Sequence, residues 1–156
     1  MNMIEPAPVR KSVIVPTSPQ QAFDIFVSGM GTWWIKGHSL TQSGQKTVVV
    51  EAVAGGRWYE IGNAGEECEW GRVIACDRPN RILFDWQLNA DFDYDPGLHT
   101  EVEILFEPNG EGGTTVILEH RHLENYGVKA EEMRGIFNSE NGWGGLLASY
   151  VEMAAA

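Results

Sequence analysis

The stretch SENGWGGLLASYVEM, Ser139 to Met153, decides how the rest of the chain is read. Trp143, Leu146, Leu147, Tyr150 and Val151 recur at i, i+3, i+4, i+7 and i+8, one apolar stripe of an α-helix. Ser139 is placed to cap it, because a serine hydroxyl accepts from an orphan N–H of the first turn. Gly142, Gly144 and Gly145 fall in the first turn and a half, and each weakens a helix by roughly 1 kcal/mol relative to alanine. Tertiary packing must therefore hold this helix. Glycines on its face also let another backbone, or a ligand, approach closely. What precedes it reads mostly as β-strand, so the expectation is a curved sheet closing around one long C-terminal helix.

Upstream, the alternation is clear. Arg81 to Leu88 puts Ile82, Phe84, Trp86 and Leu88 on one side and Asp85 and Gln87 on the other. Thr100 to Phe106 turns Val102, Ile104 and Phe106 inward against Glu101, Glu103 and Glu107. Thr114 to His120 sets Val116, Leu118 and His120 on one face. Strands are also expected over Val13–Val15, Thr47–Val53, Arg57–Ile61 and Glu66–Cys76, the last interrupted at Gly71 by a bulge or a close approach. Half-polar alternation means an antiparallel sheet with one covered face. Ser18, Pro19 and Gln21 open a short helix whose apolar face is Ala22, Phe23, Phe26 and Val27. The fold class is thus α+β, with six or seven strands wrapped on the C-terminal helix. One domain over residues 9–156 is expected, after a loose tail over residues 1–8.

Composition bounds the function. Formal net charge is −11, which argues against nucleic acid and against an anionic membrane surface. No apolar run reaches 18 residues, and the first residues lack a signal core. Cys68 and Cys76 fall on one strand, about 26 Å apart at roughly 3.3 Å per residue, too far for a disulfide. Two reduced thiols point to a cytoplasmic protein.

Several constellations carry chemistry. Glu60 shares a strand face with Trp58, and His120 ends another inward face. A carboxylate and an imidazole converging there could act as acid and base, or hold a polar ligand group. Convergence would raise the His120 pKa. The structural alternative is a satisfied buried pair, or Glu60 with Arg72. His120 and His122 could share a face, but a metal needs more ligands than two, with Cys68 or Glu60 making up the rest, and no metal or cofactor is expected. Asp91–Gly97 resembles a calcium loop but has Pro96 and Val102 where Gly and Glu are needed. Gly142–Gly145 lacks any phosphate-loop spacing, and no GxSxG elbow exists.

Local motifs add to this. Gly55-Gly56-Arg57-Trp58-Tyr59-Glu60 and Glu69-Trp70-Gly71-Arg72-Val73 come first. Asp77-Arg78-Pro79 leading to Phe84-Asp85-Trp86 follows, then Gly113-Thr114-Thr115-Val116 leading to Leu118-Glu119-His120. In this order they resemble the activator-of-heat-shock-protein-ATPase homologue-like group, within the START-like, birch-pollen-allergen-like helix-grip superfamily. The resemblance spans roughly Arg10 to Met153. It implies a cavity between sheet and helix that takes apolar or aromatic small molecules. Phe23, Trp58, Glu60, Trp86, Leu118, His120, Trp143 and Leu147 are the expected lining. It also implies two alternatives: a cyclase- or hydrolase-like enzyme using Glu60 and His120, and a chaperone-ATPase-activator module. A chaperone or a second copy of the chain would then be a partner.

Overall fold

The computed structural model describes residues 7–156, so most of the tail expected over residues 1–8 lies outside the described residues. The seven strands are β1 (Val9–Val15), β2 (Gln45–Val50), β3 (Arg57–Gly62), β4 (Glu67–Asp77), β5 (Arg81–Trp86), β6 (Thr100–Pro108) and β7 (Thr114–Arg121). The helices are α1 (Pro19–Val27), α2 (Met30–Trp33), α3 (Ala130–Asn138) and α4 (Gly145–Ala155). All neighbouring strands are antiparallel, in the order β1-β7-β6-β5-β4-β3-β2. Strands β2 to β7 form a meander. β1 alone is out of sequence, pairing with β7 from Val9↔His120 to Val15↔Thr114. This is the α+β helix-grip architecture. Among the described residues no helix is long and apolar enough to cross a membrane.

The alternation read from sequence sets the faces. Ile82, Phe84, Trp86, Val102, Ile104, Phe106, Val116, Leu118 and His120 are all buried. Outside, Arg121 and Arg81 pair with Glu101 and Glu103 on the solvent side of the sheet. Helix α1 starts as expected, with Ser18 Oγ accepting from Gln21 N–H at 3.3 Å. Its Phe23 and Phe26 pack edge-on to Phe106, at ring-centroid distances of 5.2 and 5.8 Å. Tyr150 of α4 donates to Ala22 O at 2.8 Å and ties the two helices together. Cys68 and Cys76 both lie on β4, unpaired.

The terminal helix differs from the expectation. Ser139 does not cap it: its hydroxyl donates to Ile136 O at 2.7 Å and closes α3 instead. A wide π-type turn over Glu140–Gly144 follows, and α4 runs only from Gly145 to Ala155. The helix expected from Ser139 is thus regular only from Gly145, because Gly142 leaves helical geometry at φ −101°, ψ −130°. A Cβ there would collide with the carbonyl oxygens of Ile136 and Phe137, so the break requires glycine. The apolar stripe survives the break, and Trp143, Leu146, Leu147 and Tyr150 are buried.

Gly145 is a second close approach. A Cβ there would meet Glu140 O, with Ile35 Cδ1 next at 3.7 Å. Gly145→Leu is expected to lower stability by about 1–3 kcal/mol, because overpacking outweighs the gain in helix propensity. A melting temperature at or above that of the wild type would contradict this contact.

Gly71 marks a real bulge. Trp58 pairs with Gly71 but Tyr59 pairs with Glu69, so Trp70 is the extra residue of β4. A Cβ on Gly71 would collide with Asp85 O across the sheet. Bulges re-aim side chains, and here Trp70 is turned inward to 1% exposure.

Candidate functional site

The bulge at Trp70, the break at Gly142 and the segment after α2 enclose one space. Trp34, Trp70, Trp86 and Trp143 form its walls, with Leu88, Phe137 and Leu146 completing them. Its volume is about 320 Å³, at the small end of ligand pockets, which run from roughly 300 to 1,000 Å³. Gly37, Ile136 and Asn141 are exposed residues of its lining and form the mouth. The indoles brace one another: Trp34 lies 4.7 Å from Trp70 and 5.8 Å, edge-on, from Trp143, and Trp86 lies 5.6 Å from Trp143.

His120 sits behind this wall, fully buried. Trp143 Nε1–H donates to its Nδ1 at 3.1 Å. An indole nitrogen can only donate, so Nδ1 is the acceptor and the ring proton is on Nε2. Nε2–H then donates to Thr100 Oγ1 at 2.9 Å, and the Thr100 hydroxyl donates to Trp86 O at 3.0 Å. Phe137 stacks on the imidazole at 4.3 Å. Burial without a counter-charge depresses the His120 pKa to about 3. This reverses the expected rise, and its cause is that no carboxylate reaches the ring.

Glu60 is fully buried elsewhere, on β3. Its carboxylate accepts from Ser39 Oγ at 2.7 Å, Leu40 N–H at 3.0 Å, Thr41 N–H at 3.1 Å and Thr41 Oγ1 at 2.6 Å. It anchors the segment that carries Ser39 and Leu40 to the cavity rim. Four strand spacings, roughly 19 Å along the curved sheet, separate β3 from β7. Glu60 and His120 therefore form no pair. Nor does Glu60 pair with Arg72, which is exposed and sits opposite Arg57 and Asp85.

Of the eight expected lining residues, Trp86 and Trp143 are in the wall. Glu60 and His120 support it from behind. Phe23, Leu118 and Leu147 are core residues away from the cavity, and Trp58 is core with its N–H on Met30 Sδ at 3.2 Å. The residues that sequence reasoning missed are chiefly Trp34, Trp70, Leu88, Phe137 and Leu146. Leu88 and Leu146 lie on faces that the periodicity already marks as inward, and Gly71 beside Trp70 is the signal of the bulge. His122 leaves the face of His120, because β7 ends at Arg121 and His122 turns left-handed at φ 64°. Among the described residues no group of three or more His, Cys, Asp or Glu could hold a metal ion. In the acidic loop, Asn89 Oδ1 accepts the N–H groups of Asp91 and Asp93.

Comparison with known proteins places this geometry. The sequence matches the family described as activator of Hsp90 ATPase homolog 1-like protein over residues 16–154. No curated protein matches it. Among solved structures it is similar to an anthrahydroquino-gamma-pyrone synthase, Txn09. Identity there is 32%, the TM-score is 0.66, and the match covers 95% of this chain and 97% of the other. It is also similar to a self-sacrificing resistance protein, CalC from Micromonospora echinospora. Identity is again 32%, with a TM-score of 0.71 and coverage of 94% and 93%. The Aha1 dimer from Colwellia psychrerythraea shares the fold at 14% identity, with a TM-score of 0.65 and coverage of 95% and 96%. With a family match that takes in nearly all of its strands and helices, the chain belongs to the activator of Hsp90 ATPase homolog 1-like family.

Proposed function

We propose that the protein binds a flat, mostly apolar small molecule in the tryptophan-lined cavity. The observation that carries this is the wall itself: four indoles around about 320 Å³, opening through the Gly37 and Asn141 edges. Large rigid rings offer apolar area with little entropy to lose. Burying about 200 Å² of ligand apolar area contributes roughly 5 kcal/mol before association costs, which gives weak to moderate affinity for a simple aromatic. The synthase relative is named for a fused-ring product, which favours a polycyclic aromatic guest here too. The unpaired Cys68 and Cys76 of this chain fit a cytoplasmic location.

Catalysis by Glu60 and His120 is not part of this reading. The carboxylate is saturated by the rim segment, and the imidazole is sealed behind Trp143. Equilibrium dialysis with 9-fluorenone tests the proposal. Saturable one-site binding is expected, and it should be lost in Leu146→Trp or in Leu40→Trp, which add bulk to residues lining the cavity. Absence of saturable binding, or binding unaffected in both folded variants, would take the reading down.

A further inference from the structure

The inner wall of the cavity contains polar atoms, but a guest cannot reach them. Of its four indole N–H groups, that of Trp143 is engaged by His120 at 3.1 Å. Those of Trp34, Trp70 and Trp86 are sealed from solvent within the packing. The backbone behind them is occupied as well. Trp70 O accepts from Gln87 N–H at 2.9 Å, Trp86 O from the Thr100 hydroxyl at 3.0 Å, and Leu88 O from the Tyr126 hydroxyl at 2.7 Å. Phe137 and Leu146, which complete this wall, have hydrocarbon side chains. Among the described residues, the side chains of the inner wall therefore give a guest apolar contact and no free donor or acceptor.

The mouth is different in kind. It draws on two short segments, residues 37–39 and residues 141–142. Gly37 and Asn141 are exposed and His38 is half-buried, so this edge of the cavity meets water. The Ser39 hydroxyl is already committed to Glu60 at 2.7 Å. A polar group of a guest placed at this edge keeps water as a partner, with the imidazole of His38 and the amide of Asn141 close by in the same rim. The same group placed against Trp70 or Trp86 gives up its water and finds no replacement. That is the case in which burying a donor or acceptor costs most.

Resting on the cavity reading above, we infer that the guest is polar at one end only, a fused-ring body held against the tryptophans with its hydroxyl or carbonyl oxygen gathered on the edge that faces the mouth. Apolar area supplies the affinity. The contrast between a dry inner wall and a wet rim supplies the orientation. An aromatic oxygenated at both ends must bury one of them without a partner, whichever way round it enters. The cavity thus selects by the position of oxygen on the ring system. Positional isomers are the sharpest test of this, because they carry the same atoms.

Naphthalene, 2-naphthol, 2,3-dihydroxynaphthalene and 2,6-dihydroxynaphthalene share one two-ring outline. The 2,3-isomer carries both hydroxyls at one end, and the 2,6-isomer carries one at each. Equilibrium dialysis against the full chain should give at least about tenfold tighter binding of the 2,3-isomer than of the 2,6-isomer. 2-Naphthol should bind at least as tightly as naphthalene, since its one hydroxyl stays at the rim. Amide NMR of the wild-type protein reads the orientation without any substitution. Naphthalene and the 2,3-isomer should shift the inner wall alike, and the differences between them should concentrate at Gly37, His38, Asn141 and Gly142. Equal binding of the two isomers, or tighter binding of the 2,6-isomer, would overturn the inference and leave the cavity reading standing. So would differences centred on Trp70 and Trp86. Failure of all four compounds to bind would remove the cavity reading and this inference with it.

Discussion

Glu60→Ala is expected to lower folding stability by about 3 kcal/mol or more, and to free the segment Ser39–Thr41. The carboxylate is fully buried and receives two backbone N–H groups and two hydroxyls from that segment. Hydrogen bonds to a charged group are worth roughly 1.5–3 kcal/mol each, and they are not additive. The hydroxyls can turn to water after truncation, but the amides of Leu40 and Thr41 cannot. For a chain of this length, 3 kcal/mol corresponds to roughly 6–12 °C in melting temperature. Glu60→Gln keeps one acceptor and loses the charge, so it should fall between alanine and wild type. Amide hydrogen exchange at Leu40 and Thr41 should quicken in both, and affinity for 9-fluorenone should drop, because Ser39 and Leu40 belong to the cavity rim. A Glu60→Ala protein that melts with the wild type, with those amides still protected, would show that something else holds the rim.

His120 gives the second large effect, read through pH. Its pKa is depressed to about 3 in the fold and sits near 6.5 when unfolded. Below pH 6.5 the unfolded chain binds a proton that the folded one refuses, so stability falls as pH falls and is fully present above pH 6.5. The loss is about 1.4 kcal/mol per pH unit, or about 2.7 kcal/mol between pH 6.5 and pH 4.5. His120→Gln has no titrating group there. Denaturant melts of both proteins across this range should therefore diverge at low pH, with the wild type losing stability relative to the variant. Parallel curves would mean that the ring takes up its proton in the folded protein. The dependence also separates His120 from a carboxylate-paired histidine, whose contribution would be lost as pH rises.

How legible the molecule was depends on what each residue answers to. The sheet was legible because Val102, Ile104, Phe106 and their neighbours obey period two, and burial follows it directly. The register of β1 against β7 was not, since nothing local in Val9–Val15 names a partner more than 90 residues later. Ser139 carried the right chemistry for a cap, but its hydroxyl serves the helix before it. Only the glycines nearby hinted at a break, and they were read as close contacts. Glu60 and His120 were correctly placed on inward faces, yet inward on a seven-stranded sheet says little about distance. The cavity wall escaped for a sharper reason. Trp70 reaches it through a bulge that shifts a two-residue rhythm by one, and Trp34 through an irregular segment after α2. Periodicity has no purchase on either.

Among the described residues the strand order leaves β1 and β2 outermost, each with one side of its backbone unpaired by sheet. Such rims are templates on which a second molecule can add a strand, and so on without end. Four of the chain's 11 lysines and arginines stand at these rims: Arg10 and Lys11 on β1, Lys46 on β2, and Lys36 beside it. Lys36 Nζ donates to Lys46 O at 2.9 Å, occupying a carbonyl that a foreign strand would need. The β2 register also shifts between Gln45 and Thr47, which bends the rim out of line. In a chain otherwise dominated by acid, cations at the two outer margins are the kind of side chain that disfavours addition of a further strand.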